Sequence, residues 1–179
     1  MKTMYKQVEI EISRGDIAAQ EDIDAVVNAA NAELAVGGGV AGAIHRTAGP
    51  QLYDECKTLA PIQPGEAVIT KAYKLPNQYV IHCLGPVYGR DKPEDKLLAN
   101  CYRNALKLAE EHKISSIAFP ALSTGAFGYP IKEATEITFN TILAEVPQLN
   151  HLQKLKFVLY SEGDLKIYES VFKELSDKN

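Results

Sequence analysis

The 179-residue chain alternates between two periods of hydrophobic spacing, and this alternation predicts strands and helices in turn. Residues 8–12 (VEIEI) alternate apolar and charged positions, so they predict a strand with one buried and one wet face that ends at 15–16. Residues 24–28 (DAVVN) form a short apolar run typical of a buried parallel strand. Three glycines follow at 37–39, and residues 40–59 have the spacing of one helix.

The rest of the chain continues this alternation without an internal repeat or a linker. A turn signal at Pro76 and Asn77 separates two short strand patterns, which can therefore pair directly. Pro130 fits the first position of a helix, where its missing N–H is not needed. Strands are predicted at 67–72, 79–84, 114–120 and 155–160, and helices from near Pro93, from Pro130 through 146 and over 165–175.

Strands that alternate with helices over the whole length predict one α/β domain spanning residues 1–179. The expected architecture is a three-layer α/β/α sandwich, in which helices cover both faces of a mixed, largely parallel sheet. Ligands bind to such folds beyond the carboxyl ends of the strands. The loops that follow predicted strands are therefore the places to search for a site.

Composition excludes several classes of function. Hydrophobic residues make up 46% of the chain and charged residues 23%, which is typical of a globular domain. The formal net charge of −4 gives no general attraction for duplex nucleic acid or an anionic membrane, so local geometry must hold any phosphate-containing ligand. The chain has no run of about 18 apolar residues, and charges interrupt its beginning. We expect a cytoplasmic protein that acts as a monomer.

The three cysteines, Cys56, Cys83 and Cys101, are odd in number and lack a CxxC spacing. This pattern indicates reduced thiols packed in the core rather than disulfides or a zinc site. Neither a metal ion nor a cofactor is expected.

The first segment that could carry chemistry is GGGVAGAIH at 37–45. Residues without side chains at a helix start let backbone N–H groups close around an anion, and the helix dipole adds a favourable field. Adjacent glycines lose conformational entropy on folding, which favours this purpose over a merely flexible connection. The dinucleotide pattern GxGxxG matches in letters, but this loop does not follow its strand directly and no strand-terminal acid lies about 20 residues on. A Walker loop is excluded because no GK[ST] follows.

The second segment is STGAFGYP at 123–130, another loop of small and hydroxyl residues between a strand and a helix start. Two such loops after separate strands predict a diphosphate clamped between helix starts, with Phe127 as an aromatic face for a sugar. Nucleophile schemes fit less well. Ser123 lies in ALSTG rather than in a GxSxG elbow, and the neighbours His82 and Cys83 point to opposite faces of a strand.

Taken together, these segments resemble the macro domain family, and most nearly its branch of ADP-ribosyl hydrolases and O-acetyl-ADP-ribose deacetylases. The resemblance spans nearly the whole chain. It is carried by the residues GDI at 15–17, NAAN at 28–31, GGGVAGAIHRTAGP at 37–50, IHCLGP at 81–86 and STGAFGYP at 123–130. It implies ADP-ribose as the ligand and ADP-ribosylated proteins as partners.

The resemblance also implies roles for individual residues. Asp16 would accept a hydrogen bond from the adenine amino group, the Ile17 N–H would contact the ring, and Tyr160 would stack on it. Asn31 would bind the distal ribose, against which Phe127 would pack. Asp16 and Asn31 could instead be turn residues, and Tyr160 could be packed at the rim. The full implied ligand set is Asp16, Ile17, Asn31, Gly37, Gly38, Gly39, Val40, Ala41, Ser123, Thr124, Gly125, Ala126, Phe127 and Tyr160.

Position 41 bears on whether the site is catalytic. Many hydrolytic members of this branch read GVDGAIH, whereas this chain has Ala41 in place of the aspartate. Macro domains of the viral branch also read GGGVAGA and are associated with hydrolysis. The implied catalytic candidates are then Asn31 and His45, although His45 could equally be a packed helix residue. A mechanism without the carboxylate is substrate-assisted, with the diphosphate orienting a water toward the distal anomeric carbon.

Two hypotheses from different classes follow. The first is an enzyme that removes mono-ADP-ribose from modified acidic side chains, or deacetylates O-acetyl-ADP-ribose. The second is a non-catalytic ADP-ribose reader. Asn31 and His45 favour the enzyme, and Ala41 favours the reader.

Overall fold

The computed structural model describes all residues from Met1 to Asn179. Its strands are β1 (Lys2–Tyr5), β2 (Val8–Arg14), β3 (Ala25–Ala29), β4 (Ala67–Lys71), β5 (Tyr79–Cys83), β6 (Ser116–Phe119) and β7 (Lys154–Leu159). Its helices are α1 (Gly39–Ala48), α2 (Pro50–Cys56), α3 (Glu94–Glu111), α4 (Ile131–Glu145) and α5 (Glu162–Ser176), with short 3₁₀ helices at Ile17–Ala19 and Val146–Gln148.

The seven strands form one sheet in the order β1-β2-β7-β6-β3-β5-β4. The five central strands, β2, β7, β6, β3 and β5, run parallel to one another. The two outer strands, β1 and β4, are antiparallel to their neighbours. The predicted mixed, largely parallel sheet is therefore confirmed, as is the direct pairing of the two strands on either side of Pro76 and Asn77.

Helices cover the sheet on both faces, which confirms the three-layer architecture. Helices α3, α4 and α5 pack on one face, where Phe139 meets Phe157 of β7 with 4.9 Å between ring centroids. Helices α1 and α2 pack on the other face, where Ile44 and Leu52 lie against Val26 and other strand residues. Because the parallel strands are covered on both sides, their sequences read as continuous apolar runs.

The single helix predicted for residues 40–59 is wrong, because the chain breaks at Gly49. Gly49 has a φ of 88°, a conformation that costs a residue with a side chain more than it costs glycine. Pro50 then begins α2, where its missing N–H is tolerated. The apolar spacing continues through the break, which hid the corner from a periodicity argument.

Three other elements, β1, α4 and β2, also differ from the sequence patterns. Strand β1 was not predicted, because Lys2–Tyr5 is a short exposed edge strand without an apolar period. Pro130 caps α4 rather than starting it, since its ψ of 129° is extended and the helix begins at Ile131. The charged face of β2 is not fully wet: Glu11 is only 8% exposed and forms an ion pair with Lys154 at 3.0 Å.

The three cysteines are all buried free thiols, as the sequence indicates. None of the helices has the length and apolar character needed to cross a membrane. The parallel strands all end at the same edge of the sheet, and this edge brings the loops after β2, β3, β5, β6 and β7 together.

Candidate functional site

A cleft of about 360 Å³ opens at the carboxyl edge of the sheet, above the ends of β3, β5 and β6. The first wall is the loop between β3 and α1 with the beginning of α1, and the second is the loop between β6 and α4. The lining residues are Ala29, Ala30, Asn31, Gly37, Gly38, Gly39, Val40, Ala41, Gly85, Ala121, Leu122, Ser123, Gly125, Ala126 and Phe127. The two segments selected from the sequence are therefore brought face to face.

Asn31 fixes the shape of the first wall. Its Nδ2 donates to the Ala35 carbonyl at 3.1 Å, and its Oδ1 accepts from the Ala35 N–H at 2.9 Å. Gly37 is at a φ of 59°, and a Cβ there would lie 3.1 Å from Asn31 Nδ2. The side chain of Asn31 thus closes its own loop while also lining the cleft.

The beginning of α1 presents unpaired hydrogen-bond donors to the cleft. The N-cap is Gly38, which has no side chain to cap the helix, and the Gly42 N–H already bonds to the Gly38 carbonyl at 3.1 Å. The N–H groups of Gly39, Val40 and Ala41 have no acceptor in the protein. Orphan N–H groups and the helix dipole make such a terminus an anion site.

The second wall has the same character. The carbonyls of Ser123 and Gly125 accept from Tyr129 and Gly128 within the loop, at 2.9 and 3.0 Å. The N–H groups of Gly125, Ala126 and Phe127 have no acceptor in the protein. The loop therefore pairs two of its carbonyls internally and leaves three consecutive N–H groups unpaired on residues that line the cleft, an arrangement typical of a backbone anion nest.

Ser123 and Gly85 interlock at the floor of the cleft. Ser123 has a φ of 65°, unusual for a residue with a side chain, and its buried Oγ has no hydrogen-bond partner. A Cβ on Gly85 would collide with Ser123 Oγ. Gly85 belongs to the segment IHCLGP, but the sequence analysis predicts no role for it. Its place directly after a strand that ends at the ligand edge was the signal that could have found it.

The cleft contains no ionisable side chain. Its polar side chains are Asn31 and Ser123, and every other lining residue is apolar or glycine. Ala41 is 5% exposed at the cleft wall. The side chains that line the cavity therefore supply no general base, and the Ser123 hydroxyl has no hydrogen-bond partner that could activate it as a nucleophile.

The residues implied for adenine lie beyond the enclosed cleft, on an open shelf at the ends of β2 and β7. Asp16 caps the 3₁₀ helix through its Oδ1, which accepts from the Ala18 N–H at 2.9 Å. Ile17 is buried, and Tyr160 is 90% exposed. The parallel pairing of β2 with β7 brings the two positions together, because Gly15 N–H bonds to the Leu159 carbonyl. This shelf continues the cleft toward the β2 side of the sheet.

His45, which the resemblance implies as a catalytic candidate, is not among the residues that line the cleft. His45 is 4% exposed, and both ring nitrogens are buried without a partner. Its ring lies 6.4 Å from the rings of Tyr53 and His82, on the side of α1 that faces α2 and the sheet. His45 lies one turn beyond Ala41 on the same face of α1, and this extra turn takes it past the cleft and into the interior beside Tyr53 and His82.

His82 lies in the same interior cluster and is fully hydrogen-bonded. Its Nδ1 accepts from Asn28 Nδ2 at 3.0 Å, and its Nε2 lies 2.9 Å from Thr70 Oγ1, whose proton goes to the Lys71 carbonyl. This pattern fits a neutral imidazole protonated at Nε2. Burial lowers the pKa of His82 to about 3, and burial also lowers the pKa of His45. Both histidines are therefore uncharged near pH 7.

Comparisons with known proteins agree with the sequence resemblance. The family model described as Macro domain matches residues 27–138. A Klebsiella pneumoniae protein named O-acetyl-ADP-ribose deacetylase is 48% identical over 166 residues, which cover 90% of this chain and 94% of that protein. Human ADP-ribose glycohydrolase MACROD2 is 45% identical over 170 residues, which cover 92% of this chain and 39% of the human protein.

A solved structure supports the same relationship. The Oceanobacillus iheyensis macrodomain with ADP has a TM-score of 0.95 to this chain at 41% sequence identity, and the match covers 100% of this chain and 97% of that one. The likeness therefore extends over the whole fold described above.

Proposed function

The chain belongs to the macro domain family, and we propose that it binds ADP-ribose and removes mono-ADP-ribose from modified acidic side chains, deacetylates O-acetyl-ADP-ribose, or does both. In this proposal residues 1–179 form a single macro domain. The one sheet supports this, because it includes strands from near both ends of the chain.

The observation that carries the proposal is the double row of unpaired backbone donors. The N–H groups of 39–41 and 125–127 stand on opposite walls of the cleft without acceptors. No cationic side chain lines the cleft, so an anion there would be held by backbone dipoles alone. A diphosphate has the charge and the number of acceptor oxygens to use donors on both walls.

The positions of adenine and the distal ribose follow from the order of strands along the edge. With the diphosphate between the two loops, adenine lies over the ends of β2 and β7, near Asp16 and the exposed ring of Tyr160. Stacking of a base on an aromatic ring contributes about 1–3 kcal/mol. The distal ribose lies over β3, between Asn31 and Phe127. In this pose the anomeric carbon is the part of the ligand farthest from adenine.

Catalysis in this cleft is substrate-assisted in our proposal. A water oxygen bonds to the distal anomeric carbon while the bond from that carbon to the acidic side chain breaks. The carboxylate leaves with the bonding electrons, and the proton of the water passes to a diphosphate oxygen and then to solvent. Asn31 and the glycine loop hold the geometry, and positioning of this kind can lower a barrier by roughly 7–11 kcal/mol at best. His45 has no part in this scheme.

A non-catalytic ADP-ribose reader is the second candidate. The specific observation in its favour is Ala41, which leaves the cleft without a carboxylate. The same feature removes a negative charge from beside the diphosphate, which favours tight binding.

The deciding experiment measures ADP-ribose release from a protein that carries mono-ADP-ribose on glutamate or aspartate. Calorimetric ADP-ribose binding is run alongside. Release by the wild type that is lost in Asn31→Ala supports the enzyme. Binding without release from this substrate or from O-acetyl-ADP-ribose supports the reader, and the absence of binding overturns both.

A further inference from the structure

The order of strands along the ligand edge gives the relative positions of the loops around the cleft. The loops after β2 and β7 stand at one end, the loop after β6 follows, then the loop after β3, and the loop after β5 stands at the other end. Neighbouring strands are about 4.8 Å apart. A ligand with adenine over β2 and β7 and its distal ribose over β3 therefore directs the group attached to that ribose toward the loop after β5. This step rests on the function proposed above.

The loop after β5, residues 86–91, is joined to the wall that faces the ribose. The Tyr88 N–H donates to the Phe127 carbonyl at 2.8 Å, and Phe127 lines the cleft. Tyr88 is thus one hydrogen bond away from the proposed ribose contact. Gly85, just before this loop, lies in the cleft floor.

This loop is held in one shape by its own hydrogen bonds. The Val87 N–H donates to Asp91 Oδ2 at 2.8 Å, and the Asp91 N–H donates to the Val87 carbonyl at 3.0 Å. The Gly89 N–H donates to Glu94 Oε2 of helix α3 at 3.2 Å. A loop fixed in this way presents its side chains without an ordering penalty when a partner arrives.

Tyr88 is an exposed aromatic side chain on this rigid loop. It is 42% exposed, and its ring lies 4.9 Å from the ring of Tyr129, which is buried. Among the aromatic residues, Tyr88 and Tyr160 are the two exposed ones, and they follow β5 and β7, which lie on opposite sides of β6 and β3 in the strand order. In the proposed pose the adenine lies at the Tyr160 side and the distal ribose ends over β3, one strand before β5.

We infer that Tyr88 is a contact for the polypeptide that carries the ADP-ribose. Preorganised tyrosines supply large contact areas at low entropic cost, and they are enriched where proteins bind other proteins. The occupant is a segment of polypeptide rather than a small molecule, because of the two proposed substrates only the modified protein continues beyond the acyl group on the distal ribose. Tyr88 thereby distinguishes a protein substrate from free ADP-ribose.

The test compares Tyr88→Ala with the wild type on ligands that do and do not carry a polypeptide. We expect kcat/KM on mono-ADP-ribosylated protein to fall about tenfold, mainly through KM. Calorimetric affinity for free ADP-ribose and kcat/KM on O-acetyl-ADP-ribose stay within about twofold of the wild type. Tyr88→Phe, which keeps the ring, restores the protein reaction.

Met4→Ala is the matched control, because Met4 is 62% exposed on β1 at the opposite edge of the sheet. It should change none of the three measurements. Equal losses on all three ligands in Tyr88→Ala would overturn the inference, since Tyr88 would then only support Phe127. An unchanged protein reaction would overturn it as well.

Failure of the proposed hydrolysis is separable from failure of this inference. If the wild type releases no ADP-ribose, affinities replace rates, and the modified protein is compared with free ADP-ribose. A selective loss of affinity for the modified protein in Tyr88→Ala still supports the contact, and parallel affinities in the variant and the wild type still overturn it.

Discussion

Ser123 Oγ occupies the space that a Cβ at residue 85 would need. The two residues come from the loops after β5 and β6, which lie on either side of β3, so this contact sets how the loop after β6 lies against the cleft floor. Ser123 adopts a strained φ of 65° at this contact. Strained backbone of this kind is common at binding sites, where the surroundings hold it in place.

Gly85→Ala should therefore displace the loop at 123–127 and weaken ADP-ribose binding by more than about tenfold, with a loss of roughly 1–3 kcal/mol in the free energy of unfolding from overpacking. Calorimetry and urea denaturation measure the two effects. Gly163→Ala is the matched control, because Gly163 lies in α5 with no protein atom closer than 4.0 Å to an added Cβ. Wild-type affinity in Gly85→Ala would remove the interlock from the binding site.

Gly38 offers a cleaner test of the phosphate loop than its neighbours do. Its φ of −108° suits any residue, and a Cβ there would meet no protein atom within 4 Å, whereas Gly37 and Gly39 have positive φ. Gly38→Glu should keep the melting temperature and lose measurable ADP-ribose affinity, because the side chain enters the cleft and its charge repels the diphosphate. Gly38→Gln has the same size without the charge and should retain more affinity. Wild-type affinity in Gly38→Glu would contradict the assignment of this loop to phosphate.

Asn31 has two proposed duties, contact with the ribose and closure of its own loop, and Asn31→Asp keeps part of the loop closure. Asn31→Ala removes both hydrogen bonds to Ala35, whereas Asn31→Asp keeps the acceptor for the Ala35 N–H and loses the Nδ2 donor. We expect turnover to fall about 100-fold in both variants, because the ribose loses a positioned amide. ADP-ribose affinity should be largely spared in Asn31→Ala and lower in Asn31→Asp, whose carboxylate adds a negative charge to the cleft. Single-turnover release and calorimetry decide, and full turnover in Asn31→Asp would limit Asn31 to closing its loop.

Local patterns in the sequence were enough to predict the sheet, both helical layers and the two glycine-rich walls. They work where one period continues, as in the buried run that became β3 or the apolar face of α3. They could not reveal the corner at Gly49, because the apolar spacing carries on through a backbone conformation that only geometry records. The contact between Ser123 and Gly85 and the burial of His45 could not be predicted either, because both depend on residues far apart in sequence.

His45 provides the last prediction, since it combines a buried imidazole with no hydrogen-bond partner. An unpaired polar group in the interior destabilises the fold, so His45→Leu should raise the free energy of unfolding by about 1 kcal/mol at pH 7. Turnover should remain at the wild-type level, because His45 does not line the cleft. A loss of turnover above about tenfold at full stability would return His45 to the mechanism.

The same variant should change the response to acid, with a sign fixed by the direction of the pKa shifts. Burial lowers the pKa values of His45 and His82 in the folded chain below 6.5, so between that pH and the folded values the unfolded chain binds more protons. Stability from both groups is complete above about pH 6.5 and is lost as the pH falls, over a window that extends to about pH 3 for His82. A histidine that is protonated in the unfolded chain and neutral in the folded chain contributes a slope of at most about 1.4 kcal/mol per pH unit. Urea denaturation of the wild type and His45→Leu at pH 7, 6 and 5 should therefore give a smaller slope of unfolding free energy against pH for the variant. The carboxylates contribute equally to the slopes of both proteins. Identical slopes would mean that His45 is protonated in the folded chain or has access to solvent there.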